Sequence, residues 1–441
     1  MGGIALLGNG LKSVVTSTVL VSESRFASFL GIAVERVALL MESIVAGMVI
    51  ALALYPLAVR RFDVRGVALA AAVVGACAFA MFAAAALRPD PSGREAWAFA
   101  CLTLGGAALV WLAPSAQSLV LAWPGDDGRK ALTSIWTGAT PVGFLAAPQL
   151  AKWLLPGLGL TAYFASLAVL PLAFAALVAT TAVIARDTRG DDALPVGLVM
   201  AFTLAVVAFE AWSTAGSLLG YGHALALAAL PFLAASIVRL IGRARRFAAA
   251  ATTDAAAWRY VAVLFALEIP TTGFFEAAFL FDHGMPQSLV ADRATLAAAA
   301  QVAGTLLAGV ILHRVRGTAA VVAWTACALV VAGVGGYAAY PSLQAAWYFM
   351  ATAAVAGLGV GALTLVLCLA IVRHAHQAIA LAALPSIAIM IGTEVGLELL
   401  QCAFAAAQSA GASAFAVVFA AQAAAALGVA PLLRHALRGD G

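Results

Sequence analysis

Charged side chains inside long apolar segments are the residues of this chain that can do chemistry. Lys12 lies in the middle of the first such segment, where Asn9 and Thr16 share its helical face. An ionisable group near the centre of a bilayer costs about 2.5–3.5 kcal/mol to insert, so a retained one is a functional hypothesis by default. The composition strengthens the hypothesis, because the chain has only three lysines and a single asparagine.

Acidic side chains in other apolar segments are candidates for binding protons. Glu268 and Glu276 are eight residues apart, which places them on one face of a helix. Pro270, between them, weakens the backbone hydrogen bonding of this helix. Burial pushes a carboxyl toward its protonated form and a nearby cation pulls it back, so we expect a proton switch. The candidates for proton coupling or substrate binding are therefore Asn9, Lys12, Glu42, Glu268, Glu276, Glu394, Glu398 and Gln401.

Two interpretations of these charges stay open. In the first, Glu268 or Glu394 carries the proton, and Lys12 is either its counter-charge or the contact for an anionic substrate group. In the second, Lys12 and one glutamate form a permanent interhelical ion pair, or Glu276 and Glu398 only reach a water-filled vestibule. At least one member of the set is expected to couple transport to protons.

Several function classes find no support in the sequence. No His, Cys or carboxylate cluster has metal-ligand spacing, no phosphate-binding G-x-x-x-x-G-K-[ST] loop occurs, and no soluble catalytic domain fits in the loops. The net charge of +4 comes from basic residues spread over short turns, which topology explains better than nucleic-acid binding. We therefore expect no enzyme activity, no metal and no cofactor.

The elements that must position these charges are membrane-spanning helices. With 10% charged residues and a mean hydropathy of +1.03, the chain cannot cover a soluble core with enough charge. Its apolar segments are about 20 residues long, the length that crosses a bilayer as a helix. The pattern predicts fourteen helices near 3–22, 37–59, 67–87, 96–122, 131–155, 160–185, 194–215, 223–242, 259–281, 294–312, 318–339, 343–372, 378–404 and 412–433.

The basic residues indicate the orientation. Seventeen of the 24 lysines and arginines fall in one set of turns. The opposite set holds only five, namely Arg25, Arg36, Arg88, Arg94 and Arg293. By the positive-inside rule both termini are cytoplasmic, which requires an even number of crossings. Twelve crossings are the alternative to fourteen, and the two counts differ in whether the segments at 194–242 cross the membrane.

A repeated turn divides the chain. Asp63-Val64-Arg65-Gly66 and Arg314-Val315-Arg316-Gly317 each follow the second apolar segment of a half-chain. This repeat predicts an N-terminal six-helix bundle at 1–185, a C-terminal six-helix bundle at 258–441, and two additional helices at 193–242. The arginines of these turns can be topology markers only, which is the expected account of Arg314 and Arg316 because no acid accompanies them.

This arrangement resembles the major facilitator superfamily, and in particular its fourteen-helix drug:proton antiporter branch. Residues 56–66 are similar to the superfamily turn P-L-x-G-x-x-x-D-R-x-G-R, and residues 143–152 to the antiporter motif G-x-x-x-G-P-x-x-G-G. The resemblance implies gating or conformational roles for Asp63, Arg65, Arg129, Gly143, Ala147 and Pro148. In such a role Asp63 would clamp helix ends on the cytoplasmic side together with Arg129 or Arg60. The stripe of small residues around Gly143 is also what tight packing alone produces. Two family features are missing, since 98–113 carries no charge and Lys12 stands where an aspartate is usual.

The expected function is proton-coupled export. We predict a monomeric, multi-pass protein of a cell inner membrane that exchanges a small amphipathic compound for protons by alternating access, with an anionic compound favoured. The direction rests on the helix-five motif. The alternatives are a proton-driven importer of an organic acid or similar metabolite and a membrane sensor or scaffold that does not transport. The expected partners are the substrate, protons and lipid, and no nucleic acid.

Overall fold

The computed structural model is helical throughout the residues that it describes. These residues are 1–32, 34–88, 90–181, 208, 255–271, 275–276, 279–280, 285, 287–315, 317–343, 346–374, 384–411 and 413–438. The helices fall into two compact units, one built from residues up to 181 and the other from 255 onward. The additional pair predicted at 193–242 lies outside the described residues, apart from position 208.

The first unit contains eight α-helices, which group into six helical segments; each segment is called a crossing below. Three of these segments join consecutive helices with almost no break, namely α1 with α2, α5 with α6, and the end of α7 with α8. The helices are α1 (Gly2–Val21), α2 (Glu23–Leu30), α3 (Val34–Arg61), α4 (Val64–Ala83), α5 (Pro91–Val110), α6 (Leu112–Leu121), α7 (Asp126–Leu167) and α8 (Val169–Thr180). A short 3₁₀ turn, Ala84–Leu87, extends α4.

The long helix α7 is two crossings joined at Gly159. The apolar stretch from Asp127 to Thr180 has 54 residues, whereas about 20 helical residues span a bilayer. Gly159 has φ 71 and ψ 170, which interrupts the helix. The division matches the sequence-based boundary between 155 and 160.

The described part of the second unit contains six α-helices, numbered first to sixth crossing in the same way. Its helices are α9 (Ala255–Glu268), α10 (Gln287–Arg314), α11 (Ala319–Leu343), α12 (Ala346–His374), α13 (Leu384–Ser409) and α14 (Ala414–Leu437). The helix predicted at 259–281 is not continuous: α9 ends at Glu268 and the 3₁₀ turn Ile269–Thr271 follows. Pro270 lacks the N–H that the α-helical ladder needs, so a single helical face shared by Glu268 and Glu276 was a wrong expectation.

Length and composition make this a multi-pass membrane protein. Among the described residues, eight helical stretches are long and apolar enough to cross a membrane. Large apolar side chains stand exposed on their outer faces, as expected where lipid replaces water. Leu87, Trp153, Val169, Val321 and Trp347 are examples.

The two units use the same helix pairings. In the first unit the extensive contacts are α1 with α7, α3 with α5, and α4 with both α5 and α8. In the second they are α9 with α13, α10 with α12, and α11 with both α12 and α14. Numbered by crossing, both sets read first with fifth, second with fourth, third with fourth and third with sixth. The internal repeat predicted from the two V-R-G turns is therefore present in the packing.

Each unit closes around its own aromatic cluster. Phe26, Phe79, Phe82 and Phe164 pack with ring centroids 4.8–6.0 Å apart in the first unit. Phe279, Tyr337, Phe349, Phe415 and Phe419 do the same in the second. Tilted and edge-on ring pairs of this kind add to the packing of apolar surface.

Acidic N-caps begin two helices of the first unit. The Asp63 carboxylate accepts from the Gly66 N–H at 2.5 Å and starts α4. Asp90 does the same for α5 through the Gly93 N–H, which holds the pKa of the Asp90 carboxyl below its ordinary value. Arg65 reaches from the first turn of α4 to the Ala179 carbonyl at the end of α8, 2.5 Å away. A cation at a helix C-terminus is favourable, so this turn links two helix ends.

Candidate functional site

A buried ion pair lies inside the second unit. Arg293, in the second turn of α10, approaches Glu276 with 3.7 Å between Nη2 and Oε2. The Arg293 side chain is 8% exposed and that of Glu276 is 2% exposed. A pair so deeply buried must be compensated by its surroundings, since removing either partner would leave an isolated charge in an apolar core.

Two aromatic rings hold the guanidinium of Arg293. Its carbon lies 5.7 Å from the ring centroid of Tyr337 and 5.6 Å from that of Phe349. The Tyr337 hydroxyl accepts from Arg293 Nη2 at 3.3 Å. Cation–π contacts are strongest when desolvated, so the rings fix the arginine independently of Glu276.

Gln422 of α14 completes the surroundings of the carboxylate. Its amide nitrogen donates to Glu276 Oε1 at 3.3 Å and to the Pro270 carbonyl at 3.2 Å. Glu276 Oε2 accepts no hydrogen bond within the described part of the chain. The oxygen nearest Arg293 is therefore the one with capacity for a proton.

A cavity opens beside the ion pair. It contains about 330 Å³ of empty space, part of it open to solvent, and the ion pair and Tyr337 line it. Gln301 and Thr271 add neutral polar groups, while the remaining wall is apolar. A concave, mainly apolar space with a few convergent polar groups is what small-molecule sites usually look like.

A second polar centre lies where α1 packs on α7 in the first unit. Lys12 and Asn9 of α1 are both buried. The Asn9 amide nitrogen donates to the Trp136 carbonyl at 2.8 Å, and the Trp136 indole donates to the Ala113 carbonyl at 2.9 Å. These bonds join α1, α6 and α7 at the level of the predicted Asn9–Lys12 face.

Polar atoms near this centre lack protein partners. The Asn9 amide oxygen, both amide atoms of Gln117 and the hydroxyls of Ser13 and Thr133 are buried without a hydrogen bond among the described residues. Buried polar groups in folded proteins almost always have a partner, either protein or ordered water. Water or a ligand is therefore the expected partner of these atoms.

The predicted gating stripe on α7 packs directly on this centre. A Cβ at Gly143 would clash with the Gly10 carbonyl and lie 2.9 Å from the Ser13 Cβ, so only glycine permits this approach. Ala147 is fully buried and Pro148 is partly exposed. The stripe is thus a close helix contact beside Lys12, and its gating role stays a prediction.

The remaining acidic candidates are spread over the second unit. Glu268 is the last residue of α9 and packs against α13. A Cβ added at Gly392 of α13 would lie 2.9 Å from the Glu268 Cβ. Glu398 is buried and Gln401 partly exposed on α13. Glu42 and Glu394 belong to α3 and α13, but their side chains lie outside the described part of the structure.

The residues of the predicted cytoplasmic clamp lie at helix ends. Asp63 is exposed and caps α4, and Arg65 caps the end of α8. Arg129 lies in the first turn of α7, where its N–H donates to the Gly125 carbonyl. A contact between Asp63 and Arg129 that opens and closes with transport stays a prediction.

The sequence analysis missed three residues around the ion pair of the second unit, namely Arg293, Gln422 and Tyr337. Arg293 was assigned to a polar turn, which is wrong, because α10 begins at Gln287 and carries the arginine buried opposite Glu276. A hydropathy profile places the end of a helix at a charged residue, because it contains no information on a counter-charge elsewhere in the fold. Gln422 had a visible signal as the single amide of α14, which is otherwise apolar up to Arg434 and His435 in its last turn, while Tyr337 had none.

The described part of the chain contains no group of three or more His, Cys, Asp or Glu side chains that could hold a metal ion. The polar atoms of both centres are amides, hydroxyls and single charges. Such sets suit protons and small polar or charged organic molecules.

Comparison with solved structures shows which fold these helices form. The chain superposes on the proton:xylose symporter XylE of E. coli with a TM-score of 0.62 and 14% identity, covering 96% of this chain and 93% of XylE. The E. coli fucose:proton symporter FucP, in its outward conformation, gives 0.65 and 13% over 99% and 98%. The human organic anion transporter MFSD10 gives 0.65 and 14% over 98% of both chains.

The chain has the major facilitator fold. No family model matches the sequence, and no curated protein matches it either. Similarity at this low identity therefore establishes the fold, as the sequence motifs predicted, and all three major facilitator proteins are transporters and not enzymes.

Proposed function

We propose that this protein is a proton-coupled secondary transporter that moves a small amphipathic organic anion across the membrane by alternating access. The buried pair of Glu276 and Arg293 carries the proposal, because it places an acid that can take a proton beside a cavity in the membrane-spanning part. Intramembrane ionisable groups that are paired with one another mark substrate and proton pathways. Two of the similar structures are proton symporters by name, which supports proton coupling.

Cations in both halves favour an anionic substrate. Lys12 is buried in the first unit beside amide and hydroxyl groups, and Arg293 lines the cavity of the second. Among the similar structures, MFSD10 is named an organic anion transporter. Apolar cavity walls suit the rest of an amphipathic molecule.

The helix-five motif favours export in exchange for protons. In the resemblance described above this motif belongs to antiporters, and here Gly143 packs on the Asn9–Lys12 face of α1. We therefore propose efflux from the cytoplasm as the first direction.

Uptake of the anion together with protons is the second candidate. It is favoured by the Glu276–Arg293 pair, because protonation of Glu276 weakens its attraction for Arg293, which lines the cavity. In that arrangement the proton and the anion are bound by the same state of the protein.

The topology belongs to the same proposal. We propose fourteen crossings, with the additional pair at 193–242 between the two bundles in the sequence. The protein is a monomer in a bacterial-type inner membrane, and both of its termini lie on the cytoplasmic side. The burial of Arg293 supports the orientation, because it leaves four basic residues instead of five on the outer side. Reporter fusions after 190 and at the C-terminus should both report a cytoplasmic location; a reporter facing outward at either position contradicts this topology.

A proton-flux screen tests the function. Purified full-length protein in liposomes that contain a pH-sensitive dye is exposed to a panel of amphipathic anions, cations and neutral compounds. We expect proton movement with at least one anion. This movement should be lost in Glu276→Gln and kept in Asp127→Asn, a control that removes the same charge from an exposed side chain. Well-folded protein that moves protons with no compound would contradict transport and favour the sensor or scaffold alternative.

A further inference from the structure

The end of α14 presents basic side chains that the described part of the chain does not pair. Arg434 and His435 lie in the last turn, Arg438 follows it, and all three side chains are exposed. Within the described residues, neither guanidinium makes a hydrogen bond or an ion pair. After Glu398 the sequence contains a single acid, Asp440. An anion that reaches this helix end, called the basic end below, therefore finds two arginines available.

The packing of the helices does not require this basic end. In the first unit the sixth crossing ends at Thr180 of α8, with no basic residue in its last turn, and Arg65 of α4 donates to its Ala179 carbonyl. The second unit repeats the contact of the third crossing with the sixth, but its sixth crossing, α14, carries the cations itself. Since the same contact forms in the first unit without them, the cations of α14 are free to serve another purpose.

One ring contact gives the register of α11 and α14. The Tyr337 and Phe419 rings lie 6.0 Å apart, and the two helices run in opposite directions as the third and sixth crossings of one unit. Both helices rise about 1.5 Å per residue. Counting from this contact toward the start of α11 and the end of α14 places Ala328 level with Gly428. The basic end is then level with the first turn of α11.

Both helices expose small residues over the stretch that leads away from the basic end. Gly428 is exposed, and a Cβ added there would meet no atom within 4 Å. Ala424 on α14 and Ala328 and Ala332 on α11 are exposed at the same levels. Glycine weakens the interior of a helix, and no contact within the described residues requires one at this position. We call the surface formed by these four residues the furrow.

We propose that the basic end and the furrow together bind one anionic phospholipid of the adjacent leaflet. Arg434 and Arg438 bind the headgroup phosphate, for which the planar guanidinium has the matching geometry, and one acyl chain lies in the furrow past Gly428. Trp324, partly exposed on α11, lies between these two levels. Tryptophan is enriched where headgroups meet hydrocarbon, and basic side chains at that boundary attract anionic lipids.

The charges favour a lipid over a second copy of the chain. Two copies in one membrane have the same orientation, so a contact through the furrow would bring two basic ends side by side. Like charges at such a distance repel one another. A phospholipid instead supplies a negative headgroup and an apolar chain in the order in which the surface presents cations and small apolar residues.

Native mass spectrometry of the purified full-length protein tests this proposal. Dioleoylphosphatidylglycerol is the anionic probe, and dioleoylphosphatidylcholine is the zwitterionic control with the same acyl chains. We expect the wild type to retain one phosphatidylglycerol molecule and to prefer it over phosphatidylcholine by about tenfold or more. Arg434→Gln/Arg438→Gln should lose this preference. Arg61→Gln/Arg373→Gln, which removes two exposed arginines near the ends of α3 and α12, should keep it.

A second variant tests the furrow separately from the charges. Gly428→Leu keeps every charge and fills the space for the acyl chain, so its affinity for phosphatidylglycerol should fall by about fivefold or more. Gly157→Leu is the matched control, because a Cβ at this exposed position of α7 also meets no atom within 4 Å. Phosphatidylglycerol should raise the melting temperature of the wild type and of Gly157→Leu, but not that of Arg434→Gln/Arg438→Gln.

Several outcomes would overturn the proposal. Equal retention of the two lipids by the wild type is one, and an unchanged preference in Arg434→Gln/Arg438→Gln or an unchanged affinity in Gly428→Leu is another. Inorganic phosphate that stabilises the protein as much as the lipid does would assign the basic end to a soluble anion. A complex of two chains that Gly428→Leu separates would assign the furrow to a second copy.

Discussion

The two halves of the molecule share one set of helix pairings and differ in how they bury charge. In the first half Lys12 lies beside amides and hydroxyls, several of whose atoms have no hydrogen-bond partner in the described chain. In the second half Arg293 faces Glu276 between two aromatic rings. Duplication therefore preserved the frame, whereas the polar chemistry diverged between the copies.

The difference shows which features a membrane bundle can change freely. The contact of the first crossing with the fifth is kept in both halves by a glycine, Gly143 in one and Gly392 in the other. The charged residue beside that contact is a lysine in the first half and Glu268 in the second. Packing without a hydrophobic drive needs small residues, but the neighbouring charge is set by function.

The largest effect is expected from breaking the ion pair. Glu276→Gln breaks the buried ion pair with Arg293 and should lower the free energy of unfolding by about 3–5 kcal/mol. The double variant Glu276→Gln/Arg293→Gln should regain most of this loss, because the buried cation is removed together with the acid. Denaturant unfolding in detergent measures both, and equal losses in the two variants would show that the charges are not coupled.

The glycine contacts come next. Gly143→Ala and Gly392→Ala each push a methyl group into the backbone of the first crossing and should cost about 1–3 kcal/mol. Gly157→Ala on the same helix as Gly143 meets no atom within 4 Å and should be neutral or slightly stabilising. Thermal unfolding compares the three, and tolerance of alanine at Gly143 alone would limit the shared packing rule to the second half.

Lys12 tests the chemistry of the first half. Lys12→Met keeps the length of the side chain and removes its charge, so transport of the anion found in the flux screen should fall about tenfold or more, a change of ~1.4 kcal/mol. Lys152→Met, at an exposed position of α7, is the matched control and should transport normally. Unchanged transport of every anionic substrate in Lys12→Met would remove the lysine from the binding site.

The smallest effect separates the two V-R-G turns. Arg65→Gln loses the bond to the end of α8 and should lower stability by about 0.3–1 kcal/mol. Arg314→Gln, in the exposed last turn of α10, should have no measurable effect. Equal melting temperatures of both variants and the wild type would mean that the first turn also serves orientation only.

Hydrophobic length made most of the helices predictable. A bilayer requires spans of about 20 apolar residues, and the polar turns between them mark their ends. Pro270 predicted a weak point in the ninth predicted helix, at 259–281, and α9 ends two residues before it, at Glu268. The repeated turns predicted the duplication because each lies between the second and third crossing of its half.

The buried ion pair was only half predictable. Glu276 stood out as an acid in an apolar segment, but Arg293 lay next to Asp292 and Gln287, which is typical of a loop. Only the tertiary contact shows that the arginine has a counter-charge and can be buried. A contact between distant helices produces no periodic pattern in a single sequence, so the position of Tyr337 beside Arg293 could not be predicted either.

The repeated pairings have a consequence for biosynthesis. Because the first crossing is closed by the fifth and the third by the sixth, every contact of the first half is available once about 180 residues have entered the membrane. The ribosome makes this half first, and domains generally fold as units during synthesis. The first bundle is thus expected to assemble before the second is translated, so the packed first half is present in the membrane before Arg293 and Glu276 form their ion pair.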